Sequence, residues 1–145
     1  MFSTPIHYKK WLSNHLLIWN IIIWEIVDFE FLFFSFGNFV NWNDETLCTE
    51  SVKYCLEHGI NFFDTAEVYG FGKAETLFWK AFKTLNVPRE KIVVSTKLFL
   101  NGPDPNDGNL SRKHIIEGLR LSLQKLQMDY VDVVFCHKYD RYTPL

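Results

Sequence analysis

Short β-forming runs alternate with amphipathic helical segments along most of this 145-residue chain. Runs rich in β-branched and aromatic residues predict strands, and the segments between them repeat apolar side chains at a helical period. The predicted strands cover residues 60–63, 91–96 and 131–136. Strands that alternate with helices predict an α/β fold with a parallel sheet and right-handed crossovers. From this pattern alone, a doubly wound sheet and a barrel are equally open.

The helical segments have recognisable starts and stops. Asp44 and Ser111 are predicted to cap the first and third helices, because their side-chain oxygens can accept hydrogen bonds from the free N–H groups of a helix start. The second helix is predicted over residues 73–85 and ends before Pro88, since the residue before a proline avoids the helical region. The third helix is predicted to bury one apolar stripe: Ile115, Leu119, Leu123 and Leu126.

Side chains that can hold or transfer protons cluster at the ends of three predicted strands. They are Asp64, Tyr69, Lys97 and His137. Because the carboxyl ends of parallel strands meet at one edge of a sheet, we expect these four side chains to converge. A phenol has a pKa near ~10 and needs a neighbouring charge to exchange protons at neutral pH. Taken singly, each residue has a plain structural explanation, such as a turn-forming Asp or a solvated Lys.

Four segments, taken in order, resemble the aldo-keto reductases. The first segment, FSFGNFV (34–40), resembles the family's first strand. The other three resemble its signature after the second strand, its third strand, and its third helix with the fourth strand: GINFFDTAEVYGFG (59–72), VVSTK (93–97) and LSRKHIIEGLRLSLQKLQMDYVDVVFCH (110–137). The resemblance covers residues 34–145 and implies a partial (β/α)8 TIM barrel, namely its first four strands and three helices. A complete barrel typically needs ~250 residues.

The resemblance also implies a role for each of the four residues. Tyr69 donates a proton to a carbonyl oxygen, and the Lys97 ammonium stabilises the resulting phenolate. Asp64 holds Lys97 and balances its charge, while His137 orients the carbonyl oxygen. The implied activity is NADPH-dependent reduction of aldehydes or ketones, and we expect it to be weak or absent in a chain that carries only half of the barrel.

The cofactor contacts implied by the resemblance are incomplete. The family's first-strand motif, G-T-W-like, corresponds to Gly37-Asn38-Phe39, which implies a backbone contact to NADP(H) by Asn38 and Phe39 with different side chains. Asp64 and His137 correspond to residues near the nicotinamide end. In the family, the residues that hold the pyrophosphate and the 2′-phosphate come from later strands. No metal site is predicted.

A regulatory function is the alternative. Within the family, SRKHIIEGL (111–119) and DYVDVVF (129–135) look most like the voltage-gated potassium channel β-subunits and their microbial relatives. This likeness implies a homo-tetramer or a complex with the cytoplasmic domain of a channel. Channel β-subunits usually carry Asn at the position of His137, whereas typical reductases carry His, so this position favours catalysis.

Residues 1–33 are atypical for the family. Lys9 and Lys10 precede an apolar stretch, as in a signal peptide, but Glu25, Asp28 and Glu30 interrupt it before the ~20 residues that a membrane span needs. The family pattern L-G-x-S-G-L-R-V-S is missing, yet a shifted reading frame through residues 23–31 encodes LGNCGFRI with suitable codons. We therefore predict that residues 1–33 are mistranslated or disordered and that the reductase domain spans residues 34–145. Sequencing the transcript tests this hypothesis.

Charge and cysteine content narrow the partners and the compartment. The formal charge of −2 gives no electrostatic basis for binding nucleic acid. The three cysteines, Cys48, Cys55 and Cys136, lack C-x-x-C spacing and predict reduced thiols in a cytoplasmic protein.

Overall fold

The computed structural model describes residues 21–26, 29–35 and 44–143. Their strands form one sheet, in which neighbours in sequence are also neighbours in space. The first two strands pair antiparallel, and all later pairs are parallel. In chain order the strands are β1 (Ile21–Ile26), β2 (Phe29–Ser35), β3 (Phe62–Asp64), β4 (Val93–Leu98) and β5 (Val133–Cys136).

Three α-helices in the described part of the chain connect the parallel strands. They are α1 (Glu45–Glu57), α2 (Ala74–Leu85) and α3 (Arg112–Leu126), and short 3-10 turns lie at Tyr69–Gly72 and Arg89–Lys91. Both predicted caps are confirmed. Asp44 accepts a hydrogen bond from the Leu47 N–H at 2.8 Å, and Ser111 accepts one from the His114 N–H at 3.1 Å. These bonds satisfy N–H groups that lack a partner within the helix.

The predicted fold class is confirmed. Four parallel strands, β2 to β5, alternate with three helices in an open sheet, as in the first half of a TIM barrel. The described part of the first of these strands, Phe29–Ser35, begins earlier than the predicted residues 34–40. Residues 36–40 lie outside the described residues, and the hypothesis of a shifted reading frame stays a prediction about the transcript. None of the described helices is long and apolar enough to span a bilayer.

The core lies between the sheet and helices α1 and α2. Phe63 on β3 packs against Phe78 and Phe82 on α2, with ring centroids 5.5 Å and 5.1 Å apart. Phe78 and Phe82 are themselves edge-to-face at 4.3 Å. Cys48 and Cys55 on α1 are buried in the same core, and burial raises the pKa of each thiol to about 12. These two thiols are therefore poor nucleophiles at neutral pH, while Cys136 is exposed.

The prediction for the buried face of α3 is wrong for Ile115, which is more than one-third exposed. Leu119 and Leu123 are half-buried, and Leu126 is fully buried as predicted. The innermost positions are Leu126 and three small or polar residues, His114, Gly118 and Ser122. The reason lies opposite the helix, where two buried carboxylates, Glu67 and Glu75, need polar partners.

Candidate functional site

Asp64 is the centre of a hydrogen-bond network at the carboxyl ends of β2, β3 and β4. Strand pairing places Ser35, Asp64 and Ser95 side by side across the sheet. The Ser95 hydroxyl donates to Asp64 Oδ1 at 2.6 Å, and the Ser35 hydroxyl donates to Oδ2 at 3.1 Å. Since Asp64 is also buried, its carboxylate is held in one orientation.

Lys97 projects from β4 into the same network. Its ammonium donates to Asp64 Oδ2 and, at 3.0 Å, to the carbonyl oxygen of Thr65. The Lys97 side chain is only 16% exposed, so the ion pair with Asp64 is largely shielded from solvent. The same ammonium nitrogen lies 4.7 Å from the centroid of the Tyr69 ring. A cation at this distance from an aromatic ring is attracted by the negative face of the ring.

Tyr69 and His137 complete the cluster. Their rings meet edge-to-face, with centroids 5.7 Å apart and an angle of 85° between the ring planes. Tyr69 opens the 3-10 turn that follows β3, and its N–H donates to the carbonyl of Ala66 at 3.1 Å. His137 directly follows β5, and its N–H donates to the carbonyl of Leu98 at 3.0 Å. The structure thus brings Asp64, Tyr69, Lys97 and His137, hereafter the tetrad, to one edge of the sheet.

The environment of His137 favours its neutral form. Burial is the main cause of a lowered His137 pKa, and the charges of Lys97 and Lys138 lower it further. A neutral imidazole has one ring nitrogen that donates a hydrogen bond and one that accepts. At pH 7, His137 can therefore hydrogen-bond to a polar ligand without adding a second cation beside Lys97.

Removal of the Lys97 charge is expected to raise the His137 pKa, but only in part because burial is the larger cause. When folding lowers the pKa of a histidine, the unfolded state binds a proton more readily than the folded state. The protein therefore loses stability as the pH falls below the unfolded-state pKa of ~6.5 toward the folded-state pKa. Lys97→Met should reduce that loss. NMR titration of the His137 Cε1 proton measures the shift. Lys113→Met, a change of the same type on exposed α3, is the control, and equal His137 pKa values in both variants would contradict the expectation.

Several supporting residues were not predicted from the sequence. Ser35 and Ser95 fix the Asp64 carboxylate, and Thr65 supplies a carbonyl to Lys97. Ser95 could have been found, because it lies on the predicted strand that Lys97 follows and opposite the end of the neighbouring strand. The predicted cofactor contacts Asn38 and Phe39 lie outside the described residues and stay predictions.

Comparison with known proteins identifies relatives for this part of the chain. Residues 34–145 match the profile of the aldo/keto reductase family. An Arabidopsis thaliana protein named "Probable voltage-gated potassium channel subunit beta" is 48% identical over 114 residues, which cover 77% of this chain and 35% of that protein. A protein of the same name from Oryza sativa subsp. japonica is 49% identical over 114 residues, with the same coverage. The chain therefore spans about a third of the length of these relatives.

Proposed function

Because the chain belongs to the aldo/keto reductase family, we propose that the tetrad is the proton-transfer site of an NADPH-dependent reductase of aldehydes and ketones. The observation that carries this proposal is the position of Lys97, which is paired with Asp64 and lies over the ring of Tyr69. A phenol beside a fixed cation is a suitable proton donor, because the cation stabilises the phenolate that remains after transfer.

Each member of the tetrad has a distinct proposed role. Tyr69 donates the proton to the carbonyl oxygen of the substrate. Lys97 stabilises the phenolate, and Asp64 keeps Lys97 in place. His137, which is neutral at pH 7, forms a hydrogen bond to the same carbonyl oxygen and orients it between the two rings. Tyr69 and His137 are both partly exposed at the sheet edge, so a carbonyl compound can reach them.

The described residues fit the nicotinamide end of the cofactor. Asp64 and His137 provide polar atoms near Tyr69, and we propose that Asn38 and Phe39, which follow β2 in the sequence, also contribute. When bound, NADPH supplies the hydride that reduces the carbonyl carbon. By resemblance to the family, the groups that hold the cofactor phosphates come from strands beyond β5. A polypeptide of residues 1–145 would therefore carry the nicotinamide end of the proposed site without these phosphate contacts.

Purified chain is expected to bind NADPH only well above the micromolar range, because charge-assisted contacts to the phosphates supply much of the affinity for such cofactors. Titration by nicotinamide fluorescence measures this, and micromolar binding would contradict the expectation. If the transcript encodes a longer product that includes later strands, that product should bind NADPH in the micromolar range and reduce an aromatic aldehyde. In that product Tyr69→Phe should lower turnover by about 10²- to 10⁴-fold, the usual contribution of a general acid. A turnover number for Tyr69→Phe equal to that of the unsubstituted protein would reject the proposed function.

A second proposal is a regulatory subunit of a potassium channel, which acts in the cytoplasm as a homo-tetramer. The names of the two plant relatives support it. Co-purification with the cytoplasmic domain of a channel tests this proposal. A Tyr69→Phe variant that keeps its effect on channel current, while it reduces no carbonyl compound, would favour regulation over catalysis.

A further inference from the structure

A second buried ionisable pair lies behind the tetrad. Glu67 follows β3, and His114 lies in the first turn of α3. Glu67 Oε1 is 3.0 Å from His114 Nε2, and both side chains are at least 97% buried. The other ring nitrogen of His114 lies 3.2 Å from the carbonyl oxygen of Asn106. The pair therefore joins the segment after β3 to α3 and to the loop that precedes α3.

Glu67 also connects two members of the tetrad. Its main-chain N–H donates to the carbonyl oxygen of Lys97 at 3.2 Å, and its carboxylate accepts a hydrogen bond from the N–H of Phe99. Tyr69 lies two residues beyond Glu67, and Phe99 lies two residues beyond Lys97. The main chain of Glu67 thus bonds to β4, and its carboxylate bonds to Phe99, the residue that follows β4. Both bonds lie at the point where the chain turns toward Tyr69.

The fit around this carboxylate is tight. A Cβ atom at Gly118 of α3 would lie 3.0 Å from Glu67 Oε2 and 3.5 Å from two atoms of the His114 ring. Glu67 Oε2 has no hydrogen-bond partner among the described residues. Glycine at this inward-facing helix position therefore leaves space for the carboxylate, although glycine is unfavourable within a helix.

We infer that Glu67 is a positioning residue, held by His114, that fixes the distance between Tyr69 and Lys97. This inference rests on the proposed function, since the distance matters only if Tyr69 transfers a proton. Loss of the Glu67 carboxylate would free the Tyr69 turn from β4 while each member of the tetrad stays present. Glu67 itself would touch neither the substrate nor the cofactor.

Fluorine NMR of the chain labelled with 3-fluorotyrosine tests the inference directly. The chain has six tyrosines, and Tyr69→Phe assigns the Tyr69 resonance. Lys97→Met should shift this resonance, which establishes that it reports on the cation above the ring. Glu67→Ala should shift it toward the position of free 3-fluorotyrosine, whereas Glu67→Gln, which keeps an oxygen acceptor for Phe99, should restore it at least in part.

Gly118→Ala provides an independent variant, because it crowds Glu67 without removing any polar group. It should shift the Tyr69 resonance in a folded chain, and Glu117→Ala on the exposed side of the same helix turn should not. If Glu67→Ala unfolds the chain, Gly118→Ala decides the outcome. An unchanged Tyr69 resonance in Gly118→Ala, with the fold intact, would overturn the inference. Absence of carbonyl reduction by a product that includes the later strands would reject the proposed function but would leave these shifts unaffected.

Discussion

Replacement of Asp64 by alanine is expected to lower the free energy of unfolding by about 3–5 kcal/mol, the usual cost when one partner of a buried ion pair is removed. The Lys97 ammonium, only 16% exposed, would lose its counter-ion. The Ser35 and Ser95 hydroxyls would lose the oxygens to which they donate. Urea unfolding at pH 7 measures the change.

The control for this prediction is an ion pair at the surface. Glu45 pairs with Lys80, and both side chains are about half exposed (56% and 48%). Glu45→Ala should cost less than about 1 kcal/mol, because water screens exposed pairs. The double variant Asp64→Ala/Lys97→Met should be more stable than Asp64→Ala, since it leaves no unpaired buried charge. A cost for Asp64→Ala equal to that for Glu45→Ala would contradict the buried pair.

Phe78→Ala is expected to destabilise the chain by a similar amount, about 3–5 kcal/mol, because it removes a large buried ring and leaves a cavity. Phe78 is fully buried and contacts the rings of both Phe63 and Phe82. Its loss would remove part of the contact between α2 and the sheet. The shift of the urea midpoint, measured by far-UV circular dichroism, gives the change in stability.

Phe71 offers a matched control on the same side of the fold. Phe71 is 98% exposed, so Phe71→Ala deletes the same ring atoms as Phe78→Ala, but from the surface instead of the core. Its effect should stay within about 0.5 kcal/mol, as is usual for surface positions. Similar effects of the two substitutions would show that α2 does not pack on β3 as described.

Much of the architecture could be predicted from the sequence because it depends on local rules. The helix caps at Asp44 and Ser111 follow from hydrogen-bonding chemistry within one turn. The strand ends that carry Asp64, Lys97 and His137 follow from the alternation of strands and helices. The parallel sheet then brings these ends to one edge.

The parts that could not be predicted depend on what lies opposite each element. The apolar period of α3 predicted that Ile115 faces inward, but no local pattern reveals that Glu67 and Glu75 occupy the space opposite this helix. His114 and Ser122 face inward for that reason. The start of the first parallel strand was also missed. The resemblance placed this strand at residues 34–40, whereas pairing with β1 along residues 29–34 and with β3 along residues 33–35 defines its described part.

Strand β4 has a consequence for how the site comes into being. Ser95, Lys97 and Leu98 each form at least one of the bonds that hold Asp64, the Tyr69 turn and His137. Because side chains alternate along a strand, a slip of one residue would turn Lys97 to the opposite face and break all of these bonds together. The register of β4 and the assembly of the tetrad therefore depend on each other, so a chain in which β4 is mispaired cannot bring Lys97 to Asp64.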